Sequence, residues 1–318
     1  MKHPWCVLGA VIVLSSGCAP EIRPRPIRVP AGAVPLSVRV KVSSKGPIRT
    51  VPLEEYVQAT ILSEFAPATG DPALVERMLE VQAVIARTYA VASRSRHESE
   101  GFDLCSTTHC QLYEPSRLKT SSWAPQAAEA VRHTEGMVLW YDTAPARALF
   151  HADCGGRISA AADVWAGMPR PYLKASRDDG AAAPAHTEWR YEVDRRALLT
   201  ALNADVRTRV GKELREIEVT QRDDAGRAAF VTLRGTRNAI VRGEELRSVL
   251  TAAFGAKSIR STLFEVDRQG SRFLFTGQGF GHGVGLCQTG AYARLRAGAN
   301  PEQVLARYYA GTRLVVVH

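Results

Sequence analysis

Residues 72–97 predict a helix that is apolar on most of its surface. One stripe at helical spacing carries Leu74, Met78, Val81, Ile85, Thr88 and Ala92, and Ala83, Val84 and Ala86 cover the other sides. A helix of this kind is buried inside a protein, so the rest of the chain must fold around it. Arg87 interrupts the apolar surface and needs a partner, because an unpaired buried charge is very costly.

A shorter amphipathic helix precedes it, in the stretch PLEEYVQATILSEF. At about 100° per residue, Leu53, Val57 and Ile61 share one face. Glu64 projects within about 20° of Leu53, in the middle of this apolar stripe. A carboxyl group therefore points to the side on which the helix is buried.

The burial of Glu64 has two interpretations. Desolvation raises the pKa of a carboxyl group, and a carboxyl group that is protonated near neutral pH suits general acid catalysis. Alternatively, Glu64 is a structural residue that pairs with a buried arginine, and Arg87 is one candidate partner. The helical pattern makes Glu64 a candidate catalytic residue and leaves both interpretations open.

Later segments of the chain resemble strands separated by turn residues. They are MVLWYD, RALFHADCGG, FVTLRG, LFEVDR and RFLFTGQGFGHGVGL. Short helices are expected at residues 127–133 and 245–254, and residues 101–125 are rich in loops. Helices first, with mixed strands and helices afterwards, predict one α+β domain over residues 36–318, in which core helices pack against mixed or antiparallel sheets.

The first seventeen residues have the architecture of a signal peptide, with Lys2 followed by an apolar run at residues 5–14. That run spans about 15 Å as a helix, half of a bilayer core, so a membrane-spanning helix is the weaker interpretation. Ser-Ser-Gly before Cys18 resembles a bacterial lipobox, which makes residues 1–17 a lipoprotein signal peptide and Cys18 the lipidated terminus. The alternative is an ordinary signal peptide cut near Ala19.

Residues 18–35 predict an extended spacer, because five prolines disfavour both helix and sheet. We expect a lipoprotein of the cell envelope that faces the periplasm. Ala19 favours the outer membrane in a host that has one, because it replaces the Asp associated with inner-membrane retention. The net charge of +9 suits anionic partners such as peptidoglycan or phospholipid headgroups. Nucleic acid is not an expected partner, since no dense basic run is interleaved with aromatic residues.

The segment from Cys105 to Gln111 contains two thiols and the imidazole of His109. Cys105, His109 and Cys110 form a zinc site if a fourth ligand such as His97 is close. The alternatives are a disulfide between the two cysteines, which an oxidising compartment permits, or a polar loop without a metal. Zinc would act here as a structural clip, and no cofactor is required for activity.

The segment GQGFGHGVGLCQTGA contains six glycines, which allow a close approach of backbone to a ligand or to another strand. It lacks the strand and helix context of a dinucleotide-binding loop. His282 and Gln288 are the polar side chains that we expect to face a cleft. The alternative for His282 is a hydrogen-bonded core histidine.

Eight segments, in order, resemble the SpoIID/LytB family, also called the amidase-enhancer or stage II sporulation protein D family. They are VPLEEYVQATILSEFAP, EVQAVIARTYAV, FDLCSTTHCQLYEP, LFHADCGG, PYLKASRDD, GEELRSVL followed by STLFEV, GQGFGHGVGLCQTGAYA and YYAGTRL. The resemblance implies a lytic transglycosylase that cleaves peptidoglycan glycan strands stripped of their stem peptides. It also implies that Glu64 is the catalytic acid/base.

In the implied reaction, the acid protonates the glycosidic oxygen between N-acetylmuramic acid and N-acetylglucosamine. The resulting carboxylate then helps the 6-hydroxyl of the sugar to attack the anomeric carbon, which forms a 1,6-anhydro sugar. No second carboxylate is needed, unlike in glycosidases with paired acids. The resemblance also implies Gln82 and Arg87 as substrate contacts. From their own loops we expect further contacts at His109, Gln111, Tyr113, His282 and Gln288, although Tyr113 fits the core equally well. Glu80 stands where the family commonly has lysine.

Cys154 and Cys287 each lie beside a glycine motif of the family, which suggests a disulfide between them. The competing hypothesis is a nucleophilic Cys154 assisted by His151. For the whole chain, the alternative function is a non-catalytic peptidoglycan-binding protein that enhances an N-acetylmuramoyl-L-alanine amidase. A third function, a zinc-dependent hydrolase, rests only on the loop at Cys105.

Overall fold

The computed structural model describes residues 34–317, apart from residues 44–45, 66, 68–69 and 179–185. The predicted signal peptide, Cys18 and nearly all of the spacer at residues 18–35 lie outside the described residues. Among the helices of the described residues, none is both long enough and apolar enough to cross a membrane.

The fold combines the long helix α2 and shorter helices with small sheets. The helices are α1 (Leu53–Glu64), α2 (Pro72–Ala92), α3 (Arg117–Thr120), α4 (Ala124–His133), α5 (Ala161–Val164), α6 (Arg195–Ala204), α7 (Gly243–Phe254), α8 (Gln288–Arg296) and α9 (Pro301–Tyr308), with a 3₁₀ turn at Glu98–Glu100. The strands are β1 (Ser37–Lys41), β2 (Ile48–Pro52), β3 (Leu104–Cys105), β4 (Met137–Tyr141), β5 (Ala144–Pro145), β6 (Phe150–His151), β7 (Arg157–Ile158), β8 (Ser176–Arg177), β9 (Glu188–Asp194), β10 (Leu214–Arg222), β11 (Ala228–Gly235), β12 (Ala239–Arg242), β13 (Phe264–Gln269), β14 (Arg272–Gln278), β15 (Leu286–Cys287) and β16 (Arg313–Val316).

The sheets are small, and most of their strand pairs are antiparallel. Their strand orders are β2-β1-β3, β10-β11-β12, β13-β14-β9, β15-β6, β16-β4-β5 and β7-β8. The pairs β1 with β3 and β6 with β15 are parallel. Helices and mixed sheets in one chain confirm the predicted α+β class.

The long apolar helix is central, as its sequence predicts. Helix α2 begins at Pro72 behind Asp71, whose side chain accepts a hydrogen bond from the backbone N–H of Leu74. Most of its residues are buried, and it packs against α1, α4, α8, α9 and β4. The helix ends at Ala92 and not near residue 97, because the polar run that begins at Ser93 has no apolar side chains to continue the buried surface.

Three hydrophobic cores organise the described residues. Helix α2 contributes Val75 and Leu79 to one core, shared with α1 and α4, and Met78 and Val81 to a second, shared with α8 and α9. The third core lies entirely within residues 189–275 and contains no residue of α2. Residues 188–278 therefore form a unit, built from β9–β14, α6 and α7, that has its own core.

Several expected elements have different extents in the structure. The predicted strands at β4, β11 and β13 and the predicted helices at α4 and α7 are confirmed. The predicted strand over residues 272–286 is divided into β14 and β15, because four glycines at residues 279–285 have positive φ angles, which a strand does not accommodate. The hairpin of β1 and β2 opens the fold, so the expected order of helices before strands is wrong at this point.

Candidate active site

Glu64, the last residue of α1, is the point where three distant segments meet. The backbone N–H of Leu112 donates a hydrogen bond to Glu64 Oε1 over 2.6 Å. The side-chain amide of Gln288, at the start of α8, donates to the backbone carbonyl of Glu64 over 3.2 Å. The Leu112 N–H thereby holds the carboxyl group of Glu64, and Gln288 links the backbone of Glu64 to the beginning of α8.

The environment of Glu64 favours the protonated form of its carboxyl group. Desolvation by burial raises its pKa to about 7, against the lowering effect of the Leu112 N–H. Within the described part of the chain, no lysine, arginine or histidine side chain pairs with Glu64. At neutral pH the group is therefore divided between acid and carboxylate, which suits a residue that first donates a proton and then accepts one.

Arg87 is not the partner of Glu64, so this structural hypothesis is wrong. Its guanidinium donates to both carboxylate oxygens of Glu54, from Nε over 2.8 Å and from Nη2 over 2.5 Å. Nη1 donates to the carbonyl of Met137 over 3.2 Å. The Arg87 side chain is 0% exposed, so it has no surface to offer a substrate, in contrast to its expected role as a contact. Arg87 instead links α1, α2 and β4.

The segment after Cys110 is fixed against α1 by buried side chains. Tyr56 donates a hydrogen bond from its hydroxyl to Gln111 Oε1 over 3.1 Å, and its ring stacks on Tyr113. Gln111 and Tyr113 are buried, which matches the core interpretation of Tyr113. Gln82 is also buried, and within the described residues its Nε2 and that of Gln111 have no hydrogen-bond partner.

The two polar residues expected from the glycine-rich segment have different positions. Gln288 contacts Glu64 directly, as described above. His282 Nδ1 accepts a hydrogen bond from the backbone N–H of Val284 over 3.1 Å, and burial lowers its pKa to about 4. His282 is thus a hydrogen-bonded core histidine, packed beside the rings of His151 and Trp165.

The cysteine–histidine loop and His97 bring four potential metal ligands together. The ligand atoms of His97, Cys105, His109 and Cys110 all lie within 4.8 Å of one another. His97 Nε2 is 3.3 Å from Cys110 Sγ, and His109 Nδ1 is 3.7 Å from Cys105 Sγ. Two thiols and two imidazoles form a donor set that fits tetrahedral zinc, and His97 stands in the fourth position as expected. Both thiols are free.

Outer hydrogen bonds prepare part of this cysteine–histidine loop for a metal. Glu100 Oε1 lies 2.5 Å from His97 Nδ1, which directs Nε2 of the same ring toward the thiols. Arg96 Nη2 lies 3.0 Å from His109 Nε2. A metal at His109 Nδ1 requires a proton on Nε2, so this last contact has to open on binding.

Cys154 and Cys287 are neighbours in space. Cys287 Sγ accepts a hydrogen bond from the backbone N–H of Cys154 over 3.2 Å, and both thiols are free and buried. The disulfide stays a prediction. A nucleophilic Cys154 does not fit this position, because a buried thiol with 0% exposure offers no surface to a substrate.

Two contributors to the site escaped the sequence analysis. Leu112 acts through its backbone N–H, and a backbone donor leaves no signature in the sequence. Glu54 pairs with Arg87, and it is one of two adjacent glutamates in the first turn of α1. The sequence offered no way to tell which of the two faces α2.

Comparisons with known proteins match both parts of the chain. Residues 42–141 match the model of a family described as stage II sporulation protein, and this range contains Glu64 and the cysteine–histidine loop. Residues 185–285 match the model of a domain of unknown function. This second range coincides with the unit that has its own hydrophobic core.

Curated relatives extend the similarity over most of the chain. Stage II sporulation protein D of Bacillus subtilis (strain 168) is 27% identical over 298 residues, covering 89% of this chain and 80% of that protein. The protein of the same name from Bacillus amyloliquefaciens is 26% identical over 288 residues, covering 87% of this chain and 78% of that protein. The amidase enhancer of Bacillus subtilis (strain 168) is 27% identical over 280 residues, covering 74% of this chain and 37% of that protein. Residues 42–141 thus match a SpoIID domain, and over most of its length the chain is similar to relatives of the SpoIID/LytB type.

Proposed function

We propose that the chain is a lytic transglycosylase that cleaves peptidoglycan glycan strands, with Glu64 as the general acid and base. The observation that carries this proposal is the carboxyl group of Glu64, which has a pKa of about 7 and no cationic partner among the described residues. A pKa near the working pH is what a residue needs in order to act as an acid in one step and as a base in the next.

The geometry suits both steps of such a reaction. The protonated carboxyl group of Glu64 donates its proton to the glycosidic oxygen between N-acetylmuramic acid and N-acetylglucosamine. The remaining carboxylate is stabilised by the Leu112 N–H, which stays 2.6 Å from Oε1. It then accepts the proton of the 6-hydroxyl as that oxygen attacks the anomeric carbon, which closes the 1,6-anhydro ring.

The isolation of Glu64 supports an intramolecular nucleophile. Burial raises its pKa against the lowering effect of the Leu112 N–H, and within the described residues no other carboxylate forms a hydrogen bond with its side chain. Glycosidases that use water as the nucleophile, or a covalent intermediate, place a second carboxylate within about 10 Å of the acid. A reaction in which the sugar supplies its own nucleophile needs one carboxyl group only. We expect strands without stem peptides to be the substrate.

We also propose that His97, Cys105, His109 and Cys110 hold a structural zinc ion. Zinc would supply a crosslink here and not a reaction step, because four protein ligands leave no open coordination position. Zinc would also affect the position of the hydrogen-bond donor to Glu64. Because Cys110 is followed by Gln111 and Leu112, a zinc ion bound to this loop would hold the Leu112 N–H next to the Glu64 carboxylate. The same closed ligand set argues against a zinc-dependent hydrolase.

In this proposal the chain works at the cell envelope. A lipid on Cys18 and the proline-rich spacer at residues 18–35 would tether the enzyme to a membrane within reach of the wall. The net charge of +9 favours the anionic wall polymer. A candidate protein partner is an N-acetylmuramoyl-L-alanine amidase, because an enzyme that removes stem peptides supplies the expected substrate.

The test uses the mature protein without its lipid and glycan strands free of stem peptides. The wild-type protein should release products that end in 1,6-anhydro-N-acetylmuramic acid, and Glu64→Gln should release none. Glu55→Gln is the matched control, since Glu55 is an exposed carboxylate on the same helix. Normal product release by a folded Glu64→Gln variant would contradict the assigned role of Glu64.

A second candidate function is a non-catalytic enhancer of an amidase. The observation that favours it is the similarity to the relative named amidase enhancer, of which this chain spans 37%. An enhancer would bind glycan strands without forming product and would stimulate a separately purified amidase. It would do so equally well with Glu64→Gln, whereas the transglycosylase proposal requires this variant to lose product formation.

A further inference from the structure

A second group of potential metal ligands lies outside the cysteine–histidine loop. His151 on β6, Cys154 in the turn that follows, and Cys287 on β15 place their ligand atoms within 4.8 Å of one another. We call these three residues the thiol cluster. Parallel pairing of β6 with β15 sets Cys287 opposite His151 and brings the segments together. All three side chains are buried, with exposures of 4% for His151 and 0% for both cysteines.

His151 has the tautomer of a metal ligand. Its Nδ1 lies 3.1 Å from the carbonyl oxygen of Val284, which only accepts hydrogen bonds, so Nδ1 carries the proton. Nε2 therefore presents a lone pair. This atom is buried and has no hydrogen-bond partner in the described part of the chain. Histidines that bind metals usually have this arrangement: one ring nitrogen donates a hydrogen bond to a carbonyl, and the other ring nitrogen binds the metal.

Backbone donors orient both sulfur atoms. Gly156 N–H donates to Cys154 Sγ over 3.3 Å. Cys287 Sγ accepts from the N–H groups of Cys154 and Gly290 over 3.2 Å and 3.3 Å, and Cys287 is the N-cap of α8. Such N–H groups, together with a helix N-terminus, stabilise a thiolate. A metal ion bound to these sulfur atoms would replace the proton of each thiol.

A buried cation compensates the charge of such thiolates. Arg227 is 1% exposed, and its Nη2 donates to the carbonyl of Cys154 over 2.5 Å. Its Nε and Nη1 have no hydrogen-bond partner within the described ranges. The carboxylates of Asp223 and Glu244 compensate part of the charge of this buried guanidinium. Anionic sulfur at Cys154 and Cys287 would add to that compensation.

We propose that His151 Nε2, Cys154 Sγ and Cys287 Sγ bind a thiophilic d¹⁰ cation, Zn²⁺ or Cu⁺. Both ions prefer thiolate and imidazole ligands. Binding forms two metal–sulfur bonds and one metal–nitrogen bond, and each thiol releases one proton to solvent. A disulfide would use the same two sulfur atoms but would leave His151 Nε2 without a partner.

The two ions differ in the number of ligands that they need. Cu⁺ is satisfied by the three ligands of the thiol cluster, whereas Zn²⁺ requires a fourth. A candidate for the fourth ligand is Asp178, whose Oδ2 lies 3.6 Å from Cys154 Sγ. Tyr308 and Arg294 hold this carboxylate through hydrogen bonds of 2.8 Å and 2.6 Å. Either ion would tie β6 to the start of α8, next to Gln288 and its contact with Glu64.

The test counts metal ions, so its result does not depend on glycan cleavage. Cys105→Ser/Cys110→Ser removes the cysteine–histidine loop as a site and leaves the thiol cluster intact. This variant is purified under reducing conditions, loaded with Zn²⁺ or with Cu⁺ and washed, and its bound metal is measured by mass spectrometry. We expect one ion per chain. Cobalt loading should give thiolate-to-metal absorption bands.

The matched control is Cys154→Ser/Cys287→Ser in the same background, since serine keeps the hydrogen bonds to the backbone and the N-cap. It should bind no ion, and circular dichroism should show that it is folded. The proposal is overturned if the Cys105→Ser/Cys110→Ser protein binds neither ion. It is also overturned if Cys154 and Cys287 of the protein exported by its host react with alkylating agents only after a reductant is added, which would identify a disulfide.

Discussion

Replacing Glu64 with glutamine should stabilise the protein at alkaline pH and leave its stability almost unchanged at acid pH. The pKa of Glu64 rises from an ordinary value of 4.5 to about 7 in the folded protein, because burial disfavours the charged form. The folded state therefore binds more protons than the unfolded state between these two values. Stability falls as pH rises through that window and is lowest above pH 7.

The size of this effect follows from the shift. A change of one pKa unit corresponds to about 1.36 kcal/mol. The full shift therefore lowers the free energy of unfolding by about 3 kcal/mol at a pH where Glu64 is ionised in both states. Glutamine has nearly the shape of the protonated acid and carries no charge. We expect the variant to exceed the wild type by up to about 3 kcal/mol near pH 8, and to match it near pH 4, where Glu64 is protonated in both states.

Urea unfolding of both proteins, followed by circular dichroism at intervals between pH 4 and pH 9, measures this difference. Glu55→Gln is the control and should show no comparable dependence, because its side chain is exposed in the first turn of the same helix. A difference between wild type and Glu64→Gln that stays constant across the range would refute the reasoning. It would mean that Glu64 titrates with an ordinary pKa.

Other consequences can be measured on the same protein. Product release should decline as pH rises above about 7, because the acid form of Glu64 is lost; a steady-state pH profile measures this. Glu54→Ala should lower the free energy of unfolding by about 3 kcal/mol, because it leaves Arg87 buried and unpaired, whereas Glu55→Ala should change it little in the same urea experiment. Removing zinc with a chelator should lower the melting temperature and product release together, and Cys110→Ser should lower both without added chelator, because it removes a ligand of the cysteine–histidine loop. Gln288→Ala should cost about 1 kcal/mol of stability and slow product release at saturating glycan, since it removes one hydrogen bond to the backbone of Glu64.

Elements with strong periodicity were the part of the fold that the sequence could predict. The apolar surface of α2 required a surrounding core, and the apolar stripe of α1 placed Glu64 on its buried side. The position of Glu64 relative to α2 was less accessible, because a helical pattern gives the direction of a side chain but not its partner. The sequence therefore allows Arg87 to pair with Glu64, whereas the packing of α1 against α2 pairs it with Glu54.

The remaining differences arise from contacts between distant segments. The separate core within residues 189–275 depends on pairing between the strands β9 and β14, which are far apart in the chain. The donor to Glu64 is a backbone N–H at Leu112, 48 positions away. In the cysteine–histidine loop, by contrast, three ligands lie within one short segment, and only His97 had to be brought in from outside it.

The origin of the oxygen at the new sugar terminus tests the central claim most directly. Peptide-free glycan strands are incubated with the wild-type protein in water enriched in ¹⁸O, and the released products are analysed by mass spectrometry. A lytic transglycosylase that uses Glu64 forms 1,6-anhydro termini without ¹⁸O, and these termini should be absent with Glu64→Gln. Reducing termini that carry ¹⁸O would identify hydrolysis and contradict the account, as would equal amounts of anhydro product from both proteins.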